Sequence, residues 1–363
     1  MTAERGPKRL SVVIPNFNHG SIIAKAIQAI AAQISAEDEI IVVDDGSTDN
    51  SLEVLKLLQE QYPPLRVVAL EKNQGAIFAL NRGLHEARGT YVNFGAADDV
   101  VLPGMVTALF AVLASYPQAA FACCECTVLD LDTGGKAFRP PVRPSYVPAF
   151  LNPSDVARVH RHIDNWILTG ASIARRDAAL EAGGFDASLG SFADGFLFRR
   201  MAFQHGCCFV PHMGLVWQVN SKGLSRSQAA DPTVSMRRLA TALERMRADP
   251  AFPTWYPDVF ERRWRFAIGK IAADAEPMNS AVLTYICRGP VGRAVLRGAC
   301  TVNGSLGRFA ALAWLSLQER PTSYLGLVRT RLSRAWRPTA PAQQIRRDGD
   351  ISAKRSVHPA PHS

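Results

Sequence analysis

Five aspartate residues are the side chains with the clearest capacity for chemistry. Asp44 and Asp45 end one strand-like run, Asp98 and Asp99 follow another, and Asp194 comes after a glycine-rich segment. Carboxylates can accept hydrogen bonds from nucleobases and sugar hydroxyls, hold a divalent cation, or take a proton as a general base. Which of these they do depends on the elements that position them.

Alternating strands and helices are predicted for the amino-terminal half of the chain. Short apolar or β-branched runs are typical of buried strands, and apolar residues at helical spacing follow them. The predicted strands are 10–15, 40–43, 65–70, 90–94 and 121–129. The first four, with intervening helices, predict a mostly parallel, doubly wound α/β sheet that binds ligands at the carboxyl ends of its strands.

The rest of the chain is predicted to be less regular. Gly and Pro are frequent over 130–153, which favours a loop, and the pair Gly183 and Gly184 is typical of a helix end. Helices are predicted over 176–182 and 192–205, short strands over 207–211 and 215–219, and Arg-rich helices beyond residue 228.

The net charge of +9 is concentrated at the carboxyl-terminal end. Residues 288–363 hold 13 Lys and Arg against 3 Asp and Glu, whereas residues 1–287 hold 28 against 29. A nearly neutral body argues against a domain that binds nucleic acid.

The seven cysteines and the hydropathy pattern indicate the cellular compartment in which the protein is expected. The number is odd, and Cys123, Cys124 and Cys126 cluster, as do Cys207 and Cys208, which favours free buried thiols over a disulfide framework. A zinc site is disfavoured because Cys-x-x-Cys occurs only once. No stretch has the roughly 18 apolar residues of a membrane span, so we expect a cytoplasmic protein.

Several short motifs occur in a characteristic order. They are Ser11-Val-Val-Ile-Pro-Asn-Phe-Asn18, Asp44-Asp-Gly-Ser-Thr-Asp49, Asn73-Gln-Gly75, Ala79-Leu-Asn-Arg-Gly83, Ala87-Arg-Gly89-Thr-Tyr91 and Asp98-Asp99. With this order and spacing, the segment from about residue 10 to 225 resembles the inverting family-2 glycosyltransferases of the GT-A fold. The resemblance implies an α/β/α sandwich that transfers a sugar from a nucleotide diphosphate donor to an acceptor hydroxyl.

The resemblance also implies where the donor binds. The loop after the first strand and the paired aspartates after the second hold the nucleoside in this family. The predicted donor-binding residues are Pro15, Asn16, Asp44, Asp45, Asn73, Gly75 and Asp98. Taken alone, the first aspartate pair is equally consistent with an acidic turn in which Ser47 or Asp49 caps the next helix.

A divalent-cation site is implied with one carboxylate missing. The family's Asp-x-Asp binds Mg²⁺ or Mn²⁺ together with the donor diphosphate, and the matching triplet here is Ala96-Ala97-Asp98. Asp98 and Asp99 remain as predicted metal ligands, because one or two carboxylates with substrate phosphates can hold such an ion. The cation would neutralise charge on the departing diphosphate.

A general base is implied as well. An inverting reaction needs a group that takes the proton of the acceptor hydroxyl as its oxygen attacks. In the family this carboxylate follows a Gly-Gly-Phe-Asp element, here Gly183 to Asp186, which indicates Asp194, with Ala193 replacing the usual Glu. The alternative is that Asp194 only caps the helix that runs to His205.

These observations give four predicted regions. Residues 1–9 are a disordered N-terminus, 10–228 the GT-A domain, 229–337 a helical basic extension and 338–363 a disordered tail. The expected partners are a nucleotide-sugar donor and a glycan or lipid-linked acceptor, as in the biosynthesis of surface glycans or polysaccharides.

Two other functions are weighed against this one. Ala96, Ala193 and Asn220 favour a catalytically inactive protein of the same fold that binds nucleotide sugars or acts as a scaffold. A dinucleotide-dependent oxidoreductase is disfavoured because no Gly-x-Gly-x-x-Gly follows the first strand.

The basic end of the chain suggests a membrane contact. The mainly apolar stretch 307–317 is followed by arginines among Leu and Trp residues over 320–337. A helix with such composition can lie on an anionic membrane surface, here the inner face of the plasma membrane. Alternatively, the apolar residues pack against the GT-A domain and the arginines are solvated.

Overall fold

The structure, a computed structural model, describes residues 8–140, 143–163, 165–220, 231–287, 289–302 and 304–318. The predicted tail 338–363, the arginines of 320–337 and the predicted boundary at 228/229 lie outside these residues. The first strand begins at Lys8, so the last two residues of the predicted disordered N-terminus are ordered.

The amino-terminal half alternates strands and helices as predicted. The strands are β1 (Lys8–Asn16), β2 (Glu39–Asp44), β3 (Leu65–Ala69) and β4 (Gly89–Phe94), and the helices between them are α1 (Ile23–Ala31), α2 (Ser51–Gln61) and α3 (Ala76–Glu86). The pairs β1–β2, β2–β3 and β1–β4 are all parallel. All these strands therefore end at one edge of the sheet.

The second half continues the same sheet. Its elements are β5 (Val100–Val101), α4 (Met105–Ser115), β6 (Phe121–Asp130), β7 (Lys136–Arg139), β8 (Ala149–Leu151), α5 (Pro153–His160), β9 (Ser172–Arg175), α6 (Arg176–Glu181), a 3₁₀ helix (Ala187–Phe192), α7 (Ala193–His205) and β10 (Cys207–Val219). The strand order within the described residues is β3-β2-β1-β4-β9-β6-β10-β5, with β7 added at β6 and β8 at β10.

The sheet is mixed rather than mostly parallel. β9 lies antiparallel between β4 and β6, whereas β10 runs parallel to β6. The predicted loop over 130–153 contains the two short strands β7 and β8. The two strands predicted over 207–219 are one strand, β10, whose register shifts around Met213 mark a bulge.

Helices cover both faces of the sheet. Leu10, Val12 and Ile14 belong to one buried cluster and Val13 to another, because successive side chains of a strand point to opposite faces. Such two-sided burial explains why β2 reads as a continuous apolar run, with all of its residues buried.

After the sheet, the described residues form the helices α8 (Pro232–Ala248), α9 (Tyr256–Asp274), α10 (Ser280–Ile286), α11 (Gly289–Thr301) and α12 (Ser305–Gln318). Leu239 of α8 and Phe260 of α9 belong to the same buried cluster as Phe192 and Phe198. The helical region thus shares a hydrophobic core with the sheet. Among the described helices, none combines the length and apolarity needed to cross a membrane.

The buried cysteines agree with the prediction of free thiols. Cys123, Cys124, Cys126, Cys207 and Cys208 are all buried and unpaired by disulfides. In the part of the chain that the structure describes, no group of three or more His, Cys, Asp or Glu side chains is arranged to hold a metal ion.

Candidate active site

A cavity of about 320 Å³ opens at the carboxyl-terminal edge of the sheet. Four predicted site residues line it, namely Pro15, Asp98, Asp99 and Asp194. The other lining residues are Ala76, Ile77, Leu80, Phe94, Gly95, Ala96, Leu168, Thr169, Gly170, Gly190, Ser191, Leu215, Trp217, Gln218, Val219 and Asn220. The cavity thus brings together the predicted base and the predicted metal ligands, which are far apart in the sequence.

Asp44 stabilises the loop that follows β1 through hydrogen bonds. Its side chain is fully buried and accepts hydrogen bonds from Asn16 Nδ2 (2.7 Å), Ser47 Oγ (2.7 Å) and the Ser47 N–H (3.0 Å). Ser47 is therefore a bridge between two loops rather than the cap of α2, whose N-cap is Asn50. The carboxylate that was expected at the nucleoside is engaged with protein donors.

Asp45 holds the loop before α3 in the same way. Its two carboxylate oxygens accept the backbone N–H groups of Gln74 (2.7 Å) and Gly75 (2.8 Å), and only 2% of the residue is exposed. Asn73 Oδ1 accepts the Gly75 N–H as well, at 3.1 Å. Gly46 has a φ of 71°, and a side chain there would collide with the backbone at Lys72. The motif therefore packs two loops together at the strand ends.

Five predicted donor-binding residues lie beside the cavity rather than in its lining: Asn16, Asp44, Asp45, Asn73 and Gly75. Asn16 and Gly75 are next to the lining residues Pro15 and Ala76 in the sequence, and the other three fix loops that lead to a lining residue. Their direct contact with a nucleoside stays a prediction.

Asp98 and Asp99 lie in the loop between β4 and β5. The Gln218 N–H donates to Asp99 Oδ1 (3.1 Å), and Gln218 Nε2 donates to the Asp98 backbone oxygen (2.7 Å), so β10 fixes this loop. Burial first, and then the neighbouring charge of Asp98, raise the pKa of Asp99 to about 7. Asp99 keeps some exposure through the cavity, but protein atoms surround its carboxyl group.

This pair fits part of a divalent-cation site. Two adjacent carboxylates supply hard oxygen ligands, and a raised pKa is what an acidic pair shows when no cation stabilises its charge. Ala96 lies in the cavity wall where the resemblance expects another carboxylate. The oxygens of a donor diphosphate would have to complete the coordination.

Asp194 is exposed in the cavity, in the first turn of α7. Its Oδ2 accepts a hydrogen bond from Thr169 Oγ1 (3.3 Å), and its Oδ1 accepts the Gly195 N–H (2.6 Å). The N-cap of α7 is Phe192, so Asp194 is not the capping residue. An exposed carboxylate at this position can accept a proton as a general base.

The segment before Asp194 is tied to α3. Asn81 Nδ2 donates to the Phe185 carbonyl (2.8 Å), and the Phe185 N–H donates to Asn81 Oδ1 (2.9 Å). A side chain at Gly184 would collide with Asn81 Oδ1, and Gly184 has a φ of 69°. These contacts explain why the two motifs need an asparagine and a glycine at these positions.

Other cavity residues were not predicted from the sequence, among them Thr169, which contacts Asp194, and Gln218, at the end of β10. Trp217, a large aromatic residue near the end of a predicted strand, is conspicuous in the sequence and also lines the cavity. Thr169 lies before β9, a strand that the apolar pattern did not indicate.

Residues 11–151 match the family described as Glycosyl transferase family 2. This segment is a family-2 glycosyltransferase domain. The domain covers β1 to β8 and ends before the segment that carries Asp194.

Curated relatives resemble the amino-terminal part. The uncharacterized glycosyltransferase YibD of Escherichia coli is 43% identical over 101 residues, which are 28% of this chain and 29% of that protein. TuaG of Bacillus subtilis, named for teichuronic acid biosynthesis, is 36% identical over 90 residues, 25% of this chain and 36% of that protein. The match thus spans only about a third of these relatives.

Solved structures resemble nearly the whole described chain. TarS of S. aureus, residues 1–349 in complex with UDP-GlcNAc, has a TM-score of 0.61 at 16% identity over 87% of this chain and 93% of that chain. The mannosyltransferase PcManGT of Pyrobaculum calidifontis, in complex with GDP-Man and Mn²⁺, has a TM-score of 0.52 at 19% identity, over 87% and 89%. The fold beyond the family-2 domain is therefore GT-A with carboxyl-terminal helices, as predicted.

Proposed function

We propose that this chain is an inverting glycosyltransferase that moves a sugar from a nucleotide diphosphate donor to an acceptor hydroxyl. One observation carries the proposal: the exposed carboxylate of Asp194 and the acidic pair Asp98 and Asp99 line one cavity. A base and a diphosphate-binding group in one cavity are what a direct displacement requires.

In the proposed reaction, Asp194 takes the proton of the acceptor hydroxyl. The acceptor oxygen then forms a bond to the anomeric carbon from the face opposite the leaving group, while the bond from that carbon to the diphosphate oxygen breaks. Thr169, through its hydrogen bond to Oδ2, orients the Asp194 carboxylate. The diphosphate departs on the side of Asp98 and Asp99.

A bound Mg²⁺ or Mn²⁺ would supply positive charge to the leaving diphosphate. Asp98 and Asp99 are the residues proposed to hold it, and the mannosyltransferase neighbour contains Mn²⁺. Asp98→Ala should abolish the cation dependence of nucleotide binding, whereas Asp45→Ala should weaken binding with and without cation. Nucleotide affinity that ignores both substitutions and a chelator would contradict this donor site.

The function is tested by release of nucleoside diphosphate. Full-length protein is incubated with UDP-, GDP- and dTDP-linked sugars, with and without Mn²⁺ and a candidate glycan acceptor. NMR of the product then gives the anomeric configuration, which must be inverted relative to the donor. Retained configuration would exclude the single displacement.

The acceptor class is proposed as a glycan or a lipid-linked glycan in the biosynthesis of surface glycan or polysaccharide. The teichuronic acid relative supports this class, and the neighbours' UDP-GlcNAc and GDP-Man define the first donors to test. We assign the donor to the β1–β4 side, and the acceptor to the side formed by residues 130–194.

A catalytically inactive protein of the same fold is the second candidate. Ala96 in the cavity wall and the engagement of Asp44 and Asp45 by protein donors favour it. This candidate requires that nucleotide sugars bind without turnover in the presence of every acceptor and cation.

A peripheral contact with an anionic membrane on the cytoplasmic side is also proposed. Leu306, Phe309 and Leu317 of α12 share a face and are 68%, 70% and 80% exposed. Residues 277–318 contain arginines but no Asp or Glu, which gives this surface the charge that anionic lipids attract.

Liposome sedimentation tests this contact. Full-length protein should pellet with phosphatidylglycerol vesicles at low salt and be released at high salt. Phe309→Ser should reduce pelleting, whereas Phe138→Ser, at another exposed phenylalanine outside the helical region, should not. Equal pelleting of both variants would contradict the assignment to α12.

A further inference from the structure

Asn93 is a buried polar side chain between two apolar neighbours of β4, Val92 and Phe94. Only 1% of Asn93 is exposed. Its Nδ2 atom donates to the backbone oxygens of Gly170 (3.2 Å) and Ser172 (2.7 Å), whereas its Oδ1 atom is buried and has no hydrogen-bond partner among the described residues. Because an unpaired buried acceptor destabilises a fold, stability alone is a poor reason for an amide at this position.

The Asn93 amide extends the connection between β4 and β9. Of the backbone pairs between these strands, the one nearest the cavity is Val92 with Ala174. Asn93 is the next residue of β4, and its side chain donates to the first residue of β9 and to the turn before it. The side chain therefore fixes the turn 168–172 to β4.

Every backbone carbonyl of the turn 168–172 accepts a hydrogen bond. Two of the donors belong to Ser172 itself, one is the N–H of Cys124, and Asn93 supplies the other two. In chain order the bonds are Ser172 Oγ to Leu168 (2.5 Å), Ser172 N–H to Thr169 (3.2 Å), Asn93 Nδ2 to Gly170, Cys124 N–H to Ala171 (3.0 Å) and Asn93 Nδ2 to Ser172. Removal of the Asn93 amide would therefore take a donor from two of these five carbonyls.

The turn is in contact with both acidic groups of the cavity. Thr169 and Gly170 line the cavity, and Thr169 Oγ1 donates to Asp194 Oδ2 (3.3 Å). At the next residue, a Cβ atom on Gly170 would be 3.6 Å from Asp99 Oδ2. The position of the turn therefore sets how far the proposed base lies from the acidic pair.

We propose that Asn93 is a positioning residue for the Asp194 carboxylate. The amide holds the turn 168–172 to β4, whose end leads into the loop of the acidic pair. It thereby fixes Thr169, and through Thr169 the carboxylate, relative to the departing diphosphate. This role rests on the proposed function, in which Asp194 is the base.

Asn93→Leu tests this role, because leucine has the branched shape of asparagine and no hydrogen-bond donor. With the sugar nucleotide that the wild type uses, kcat should fall at least about tenfold, since a small displacement of a catalytic group has effects of that size. The donor KM, and the affinity for UDP and GDP in calorimetric titration, should stay within about twofold of the wild type. A loss of nucleotide affinity as large as the loss of kcat would overturn the proposal.

Ser11→Ala is the matched control at the opposite ends of the strands. Ser11 is fully buried, donates to Glu39 Oε1 (2.7 Å) and accepts the Gly89 N–H (2.8 Å) at the start of β4. Removal of its hydroxyl should lower Tm, as Asn93→Leu does, and leave kcat and nucleotide affinity at wild-type values. An equal fall of kcat in both variants would show that lost stability, not the position of the turn, is responsible.

Hydrogen exchange followed by mass spectrometry reports on the turn without any need for activity. In Asn93→Leu, peptides that cover residues 168–172 and the first turn of α7 should exchange faster than in the wild type, whereas Ser11→Ala should leave them unchanged. Unchanged exchange of the turn in Asn93→Leu, or faster exchange with wild-type kcat, would overturn the proposal. If the wild type transfers no sugar, the proposed function fails, and exchange alone decides whether Asn93 holds the turn.

Asn93→Asp adds a test by pH. The introduced carboxyl group can donate to one carbonyl while it is protonated, a form that burial favours, and it donates to none when it is ionised. The ratio of its kcat to that of the wild type should therefore be highest at low pH and decline as pH rises. A ratio that is constant with pH would contradict the role of the amide as a donor, and this variant decides if Asn93→Leu does not fold.

Discussion

Replacement of Asp45 by Asn tests whether this carboxylate holds the loop before α3. Its two oxygens accept the N–H groups of Gln74 and Gly75 at 2.7 and 2.8 Å, in a residue that is 2% exposed. Asparagine keeps one acceptor oxygen and turns an NH₂ group toward the other N–H. Loss of a charge-assisted bond, with a buried donor left unpaired, should lower the free energy of unfolding by about 2–5 kcal/mol.

Urea denaturation followed by circular dichroism measures this change. Asp258→Asn is the control, because that side chain is 67% exposed in the first turn of α9 and should change the free energy of unfolding by less than about 1 kcal/mol. If Asp45→Asn also costs less than about 1 kcal/mol, the two hydrogen bonds do not hold the loop. The carboxylate would then be available to a ligand.

Three further predictions concern the cavity and its supports. Asp194→Asn should lower turnover roughly a hundredfold or more while titration shows unchanged donor affinity; turnover near the wild-type rate would exclude Asp194 as the base. Because burial raises the pKa of Asp99 from 3.8 to about 7, the folded state binds its proton more tightly than the unfolded state. Without cation, the free energy of unfolding should therefore fall by up to about 4 kcal/mol as pH rises through this interval, and Asp99→Asn should flatten that dependence in urea titrations. Asn81→Ala should destabilise the protein by about 2–3 kcal/mol in the same assay, since it removes both hydrogen bonds to Phe185; a change below about 0.5 kcal/mol would show that the contact is dispensable.

The parallel half of the fold could be predicted because its signals are local. Each of β1 to β4 is a short buried run followed by turn residues, and each intervening helix has apolar residues at helical spacing. The order of motifs then placed the aspartates at the strand ends, and the structure brings Asp98, Asp99 and Asp194 into one cavity.

The second half was harder to predict because its pairings are long-range. β9 has only four residues, and antiparallel pairing with β4 and β6 sets its position in the sheet. Arg175 pairs with Tyr91, 84 residues earlier, and Ala174 pairs with Phe121, 53 residues earlier. β7 is exposed and β8 has three residues, so neither shows the buried pattern that indicates a strand. Gly and Pro over this segment reflect turns between short strands, not a structureless loop.

The roles of Asp44 and Asp45 show a second limit of prediction from the sequence. A carboxylate at a strand end is suited equally to a ligand and to nearby backbone N–H groups, and residue type does not distinguish them. The distances show that both carboxylates have protein donors. The glycines beside them were more informative, because Gly46 and Gly75 both have positive φ in the loops that those carboxylates hold.

The helices after the sheet affect the geometry of the proposed base. Phe192 packs against Phe260 and Trp264 of α9, with ring centroids 6.0 and 4.2 Å away, and it is the N-cap of α7. Because Asp194 follows two residues later, contacts that fix Phe192 also fix the direction of the first turn and of its carboxylate. In a fragment that ends before α8, we expect this aromatic contact to be lost and the start of α7 to be less well fixed. We therefore expect the helical region to contribute to the position of Asp194, although no motif of the sequence indicates this dependence.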